Sequence, residues 1–324
     1  MENSNELKIH FLNVGHGDCT VIHHPSGRLT VVDTSNGEDI DSSTVECKLG
    51  GDVVNRAVYE VWKSRGFSTR RALKEAAAVD LPLKNPVEFI RKQYPNQPIF
   101  RYIQTHPELD HMRGLASLDK AFSIYNFWDT RNHRSCDPLD ADKADWEAYR
   151  SLRSSDKKRN YTRGDRNAYF ALDDLGGSGD NLEILSPSEA LVSDCDDAGD
   201  GGDWNNMSYV IKPTHMNTSI ILGGDAGTRA WDDILVNCRS KLPCRILKAS
   251  HHGRESGYHE EALRAMAPTI AILSIGDECE HEAREKYEKH CKYVWSTYEC
   301  GTITLTIDAN GGITYSFENA LAMA

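Results

Sequence analysis

Residues 102–115, YIQTHPELDHMRGL, compress His106, Glu108, Asp110 and His111 into six positions directly after the apolar run 99–103. Such a turn is either a charged connection that happens to carry imidazoles or a set of ligands for a metal. The rest of the chain decides between the two. Asp225 closes SIILGGD, His251 and His252 follow RILKAS, and Asp33 closes LTVVD; each stands after an apolar strand and before a turn. Where such strands belong to stacked sheets, their ends converge on one rim, and open α/β sheets bind ligands there.

The surrounding pattern supplies those strands. Segments 7–12 (LKIHFL) and 20–23 (TVIH) read as strands joined by the turn NVGHGDC, and 28–37 (RLTVVDTSNG) as a third that closes on an acid. The period then changes, with Val53, Ala57, Val58 and Val61 at helical spacing. Segment 68–79 starts with Ser68 or Thr69 as a helix cap, and 85–94 with Asn85 as cap and Pro86 in the first turn. Residues 38–98 thus read as a mainly helical insertion, and the polar stretch 129–180, which lacks apolar periodicity, as a second one of helix and loop. Segments 181–187, 207–213, 218–225, 245–253, 270–276 and 301–308 are further strands, with HEEALRAM and HEAREKYEKHC as helices among them. The alternation predicts a layered α/β fold in a single domain spanning 1–324.

Bulk properties narrow the function classes. The formal charge is −12, a poor start for gripping a phosphate backbone through many contacts, although a local basic groove is compatible with it. The stretch MENSNELKIHFLNVGHGD has no basic region followed by an apolar one, so no secretory signal is read, and no window approaches the roughly twenty apolar residues of a spanning helix. Nine cysteines are scattered without a close CxxC pair, which fits reduced, mostly buried thiols and a cytoplasmic location. Segment 194–203 (DCDDAGDGGD) is acidic, but Ala198 at its fifth position and Asn205 in place of a closing glutamate exclude an EF-hand.

Taken singly, each site feature has a plain structural reading. A buried histidine is more often hydrogen-bonded core than ligand, an acid at a strand end often caps the next helix, and an HH pair says little. All four in this order are hard to explain that way. Imidazoles and carboxylates without sulfur suit Zn²⁺ or Mn²⁺, and two such ions about 3.5–4 Å apart can share one carboxylate. Asp225, on a short arm next to Gly223 and Gly224, suits the shared position.

These residues resemble a known family. HPELDH is similar to the HxHxDH signature of the metallo-β-lactamase-fold hydrolases, nearest to the subgroup that includes the hydrolase domain of DNA-uptake competence proteins and the phosphorylcholine esterases. FLNVGHGDCTVI, LTVVDTSNG, NNMSYVI with IILGGDAG, and LKASHHG followed by LSIG extend the match from residue 11 to 276. The resemblance implies a four-layer αββα sandwich with two zinc ions, the second bound more weakly, or manganese, between its sheets. His106 and Glu108 would sit at one metal, Asp110 and His111 at the other, and Asp225 between them. His251 would complete the second site, His252 would contact substrate or a ligand, and Asp33 would orient ligands. Three positions depart from the pattern. Glu108 replaces a histidine or aspartate, His16 replaces a glutamine near the site, and the third histidine has no clean counterpart, with His215 or Asn206 in its stretch.

The resemblance implies hydrolysis by water activated on the metal, with Asp110 orienting that water and His281, in DECEHEA, offering a proton to the leaving group. A phosphodiester is the preferred substrate, in a phosphorylated small molecule or at a nucleic-acid end. Amide, lactone or thioester hydrolysis, or a degenerate regulatory chain whose insertions bind a partner protein, are the alternatives. Basic stretches 63–74 and 150–166 read first as solvated surface; the sharper reading has Arg70, Arg163 or Arg166 steering a phosphate and Tyr161 stacking on a base.

Overall fold

Alternating side chains set the layers. The computed structural model describes residues 5–38, 40, 42–134, 142–170, 179–197, 203–276 and 282–319. Its strands are β1 (Leu7–Phe11), β2 (Thr20–His23), β3 (Leu29–Val32), β4 (Ile99–Ile103), β5 (Ile124–Trp128), β6 (Lys158–Arg159), β7 (Leu182–Ser186), β8 (Val210–His215), β9 (Thr218–Leu222), β10 (Ile246–Lys248), β11 (Ile270–Leu273), β12 (Tyr293–Ser296), β13 (Ile303–Ile307) and β14 (Ile313–Phe317). They form an eight-stranded sheet in the order β14-β13-β1-β2-β3-β4-β5-β6 and a six-stranded sheet in the order β12-β11-β10-β9-β8-β7.

Successive residues point to opposite faces of a strand, and here both faces are apolar. Ile220 and Leu222 of β9, Ile246 of β10 and Ile270 and Ile272 of β11 join Ile9 and Phe11 of β1 and Leu305 of β13 in a core between the sheets. Their neighbours Ile221, Leu247, Ala271 and Leu273 pack outward with Trp231, Ile234, Leu263 and Met266. Those partners come from α8 (Thr228–Cys238) and α9 (Glu260–Met266). On the other flank Val21, Val31, Tyr102 and Phe127 pack with Ile90, Leu115, Leu118, Trp146, Tyr149 and Leu152. Helix, sheet, sheet, helix is the four-layer arrangement that the sequence resemblance implied.

Between β3 and β4 lie α1 (Ser42–Leu49), α2 (Val53–Ser64), α3 (Thr69–Ala77) and α4 (Pro86–Gln93), with Asp52, Ser68 and Asn85 capping the last three through their side-chain oxygens. Most of these helices share a small core of their own, around Leu49, Tyr59, Ala72 and Leu73. α5 (Leu115–Ala121), α6 (Lys143–Arg153) and α7 (Glu189–Asp196) follow, and α10 (Arg284–Glu288) and α11 (Thr297–Cys300) end the series. α7 takes in the first part of the acidic segment 194–203, and residues 198–202 lie outside the described ones. Among the described residues no helix is long and apolar enough to cross a membrane.

β3 and β4 run parallel, as do β9 and β10. Their carboxyl ends lead into Asp33, His106, Asp225 and His251, and the face-to-face packing of the sheets brings these ends together.

Candidate metal centre

The carboxylate of Asp225 faces four imidazoles. Its Oδ1 is 3.2 Å from His111 Nε2, and its Oδ2 is 3.8, 3.7 and 3.7 Å from Nε2 of His106, His251 and His252. His252 Nε2 lies 3.3 Å from Asp110 Oδ2, and its Nδ1 3.8 Å from Asp18 Oδ2. Asp18, His111, Asp225 and His252 each offer a ligand atom, all within 4.8 Å of one another. His106, His111, Asp225 and His252 are buried, whereas the Asp110 side chain is 36% exposed. The centre therefore opens to solvent on the Asp110 side.

Local backbone explains this convergence. Gly224 has φ +50°, and a Cβ there would stand 3.0 Å from Ser208 Cβ and 3.1 Å from Thr105 Cβ. Only a glycine lets the turn after β9 approach the turn after β4 so closely. The Asp225 N–H donates to Ser208 Oγ at 3.1 Å, and the Tyr209 N–H to the Thr105 carbonyl at 3.0 Å. Gly17, φ +135°, meets the Asp110 carbonyl in the same manner, at 2.7 Å for a built Cβ, and sets Asp18 beside His252.

Three of the four rings are held from behind. Asp33 accepts from Thr105 N, Thr105 Oγ1 and His111 Nδ1, all at 2.7 Å, which turns His111 Nε2 toward Asp225. Thr105 Oγ1 lies 3.0 Å from His106 Nδ1, and Ser256 Oγ 2.7 Å from His251 Nδ1. Lys248, itself buried, pairs with Asp18 at 2.8 Å.

Electrostatics follow from crowding carboxylates around imidazoles. Burial pulls His106 down to about 3, helped by His111. For His252 burial acts downward too, but Asp225, Asp110 and Asp18 outweigh it and push the ring up to about 9. Burial likewise works against the charges of Asp225 and Asp18, yet His111 and His252 hold the first well below the carboxylate range, and Lys248 and His252 the second.

The residues expected at the site do not all stand together. Glu108, expected at a metal, instead gives Oε1 to Arg134 Nη1 at 2.6 Å; its longer arm reaches a guanidinium beyond the turn. His252 stands with Asp110, His111 and Asp18, while His251 faces Asp225 Oδ2; φ is positive at both residues, +48° and +59°, so nearness to the strand does not choose between them. Asn206 accepts from the Ala230 N–H and donates to Asp203, so it ties down the start of α8. His215 lies at the tip of the β8–β9 hairpin, away from the end that carries Asp225, with Nε2 3.1 Å from the Asn5 carbonyl. His16 is buried in the β1–β2 loop beside Gly17 and Asp18. His281 lies outside the described residues. Arg163, Arg70 and Tyr161 are engaged in the scaffold: Arg163 pairs with Asp233, Arg70 donates to the Leu81 and Leu83 carbonyls, and Tyr161 packs on Trp128 and Phe170. Sequence reasoning passed over Asp18 and Lys248; the signals were an acid after two glycines and a lysine closing an apolar strand.

No family model matches the chain. ComE operon protein 3 of Bacillus subtilis (strain 168) is 27% identical to it over 141 residues, 44% of this chain and 17% of that protein, so the match spans less than a fifth of the relative's length. Among solved structures the chain is similar to Igni18, a metallo hydrolase from Ignicoccus hospitalis KIN4/I, with a TM-score of 0.46 and 13% identity over 92% of this chain and 98% of that one. It is similar to the metallo-β-lactamase fold protein YhfI from Bacillus subtilis, with a TM-score of 0.44 and 10% identity over 96% and 100% of the chains. A third is CmlA, a diiron β-hydroxylase from Streptomyces venezuelae, with a TM-score of 0.48 and 12% identity over 93% of this chain and 54% of that one.

Proposed function

We propose that this chain is a metal-dependent hydrolase of phosphodiester bonds, in a nucleotide-like small molecule or at a nucleic-acid end, working in the cytoplasm. One observation carries the reading. His106 Nε2 and His111 Nε2 both face the Asp225 carboxylate, at 3.8 Å from Oδ2 and 3.2 Å from Oδ1, and among the described residues neither of these buried nitrogens, nor Asp225 Oδ1, makes a well-formed hydrogen bond. Buried polar atoms left unpaired are costly, roughly 1–3 kcal/mol each. Divalent cations fit such atoms, since a cation accepts lone pairs from rings and carboxylates at once. Nitrogen and oxygen donors without sulfur suit zinc or manganese.

His106, Asp225 and His251 would hold one ion, and Asp18, Asp110, His111 and His252 a second. When bound, such ions lower the pKa of water toward neutrality and offset negative charge on a phosphoryl oxygen. Everything else falls to the chain. Asp33 fixes the His111 ring and leaves its Nε2 lone pair facing inward. Asp110 reaches solvent while His111 and His252 hold it ionised against the opposing effect of burial, so it can accept a hydrogen bond from an incoming water and orient it. His281 is assigned the proton for the leaving group.

The test is metal analysis of the purified protein together with zinc- and manganese-supported cleavage of bis(4-nitrophenyl) phosphate. Asp225→Asn is expected to lower kcat/KM by about a hundredfold or more and to reduce bound metal, while the fold is kept. A wild-type protein that takes up neither ion, or takes one up and leaves the phosphodiester intact, overturns the reading.

A further inference from the structure

We infer that Glu108 serves not as a metal ligand but as the anchor of Arg134, whose guanidinium binds a non-bridging oxygen of the anionic substrate at the mouth of the metal centre. The inference rests on the hydrolase reading above and adds the residue that selects for a phosphoryl group.

Location comes first. Glu108 lies two residues from both His106 and Asp110, and Arg134 Nη1 is 2.6 Å from its Oε1. The same guanidinium sits 5.7 Å from the centre of the Trp204 ring. Trp204 opens the turn Asn205–Met207, and the next residue, Ser208, holds the Asp225 N–H. Arg134 therefore spans the two walls of the site, one from each sheet. Exposure shows which side is open: the Glu108 and Asp110 side chains are 35% and 36% exposed, while those of His106, His111, Asp225 and His252 are 3% or less. Arg134 stands on the open side.

Chemistry comes next. A guanidinium has five N–H donors in a planar fork that matches phosphoryl oxygens. Among the described residues one of the five is hydrogen-bonded, to Glu108, and a face rests near Trp204. The Arg134 side chain is 20% exposed and that of Glu108 35%, so the pair fixes the guanidinium in place while part of it stays open to solvent. A chain of formal charge −12 repels an anionic substrate at long range, and a fixed guanidinium beside the centre opposes that repulsion locally. Glu108 in place of a shorter or aromatic ligand supplies the arm that reaches Arg134.

The experiment uses the full zinc-loaded chain and the variants Glu108→Gln, Arg134→Gln and Arg134→Lys. Bound zinc is measured, together with the Kd of inorganic phosphate and the KM and kcat for bis(4-nitrophenyl) phosphate and for the neutral ester 4-nitrophenyl acetate. Zinc content is expected to match wild type in all three variants. Arg134→Gln is expected to weaken phosphate binding and raise the phosphodiester KM by about tenfold or more, with the neutral ester's KM within about twofold of wild type. Arg134→Lys is expected to restore part of the loss, and Glu108→Gln to show a smaller defect of the same kind. Loss of zinc in Glu108→Gln overturns the inference, as does phosphate binding unchanged in Arg134→Gln. A wild-type chain whose phosphate binding depends on Arg134 but which cleaves no phosphodiester overturns the hydrolase reading and leaves this one standing.

Discussion

Arg101 sits near the middle of β4 with its side chain 1% exposed, between two sheets of aliphatic residues. A charge so placed is tolerated only when paired and hydrogen-bonded. Asp180, fully buried, meets its Nη2 at 2.7 Å, and Thr30 Oγ1 accepts from Nη1 at 2.9 Å. Arg28 and Ser26 also donate to Asp180, so one carboxylate ties β4 to the β2–β3 turn. Removing it leaves a guanidinium stranded in the core. Asp180→Ala is expected to cost about 3–5 kcal/mol of unfolding free energy, measured by urea denaturation. Arg101→Met/Asp180→Leu, which removes both charges, is expected to be less destabilised than Asp180→Ala alone. The composition of IFRYIQT gives no sign of this pair, because its acid stands 79 positions on, 180 − 101, at the end of a polar stretch.

At the scale of elements, the turns decide more than the strands. Segment 28–37 reads as one long strand, yet β3 ends at Val32 because Asp33 takes φ +56°; segment 245–253 likewise yields only β10, ending at Lys248 before His251 and His252 turn left-handed. Left-handed backbone at non-glycine residues costs on the order of 1–3 kcal/mol each, and three of them cluster where the candidate ligands meet. Hydropathy marks where an apolar run lies but carries no information on φ, so the strand ends, and with them the choice between adjacent histidines, were not legible. HPELDH could be found because its ligand-capable groups are contiguous. The Asp18–Lys248 contact was not, since its members are 230 residues apart and neither signal names the other as its partner. At Gly224 the demand is both conformational and steric: Gly224→Ala is expected to lower stability by about 2 kcal/mol or more and to depress the proposed phosphodiester cleavage more than the loss of fold accounts for. The thermal midpoint and the rate, measured on the same sample, check this.

For the molecule as a whole, two buried histidines outside the metal centre contribute to its response to acid. His10 lies between Thr304 Oγ1 at 2.8 Å and Tyr94 Oη at 2.7 Å, and links β1 to β13 and α4. Burial, aided by Lys8, pulls it from 6.5 to about 4, and burial takes His24 from 6.5 to about 3. In the unfolded chain both rings take up a proton near the ordinary value; in the folded chain they resist it. The unfolded state thus binds more protons below pH 6.5, and stability falls as the pH drops from about 6.5 toward 4. His10 alone is expected to remove about 2 kcal/mol between pH 7 and pH 5, read from urea midpoints at the two values, and His10→Gln to flatten that slope. Layer architecture was legible from apolar runs at the scale of whole strands; these ring contacts, between residues far apart along the chain, were not.

The candidate centre draws Asp18, His106, Asp110 and His111 from the eight-stranded sheet and Asp225, His251 and His252 from the six-stranded one. An ion seated there is thus a rivet through both halves of the sandwich, not an ornament on one of them. At a hundred times its dissociation constant it would add about 2.7 kcal/mol against their separation. Free cation in the surroundings would then govern how long the molecule stays shut at that end, as well as whether it can work.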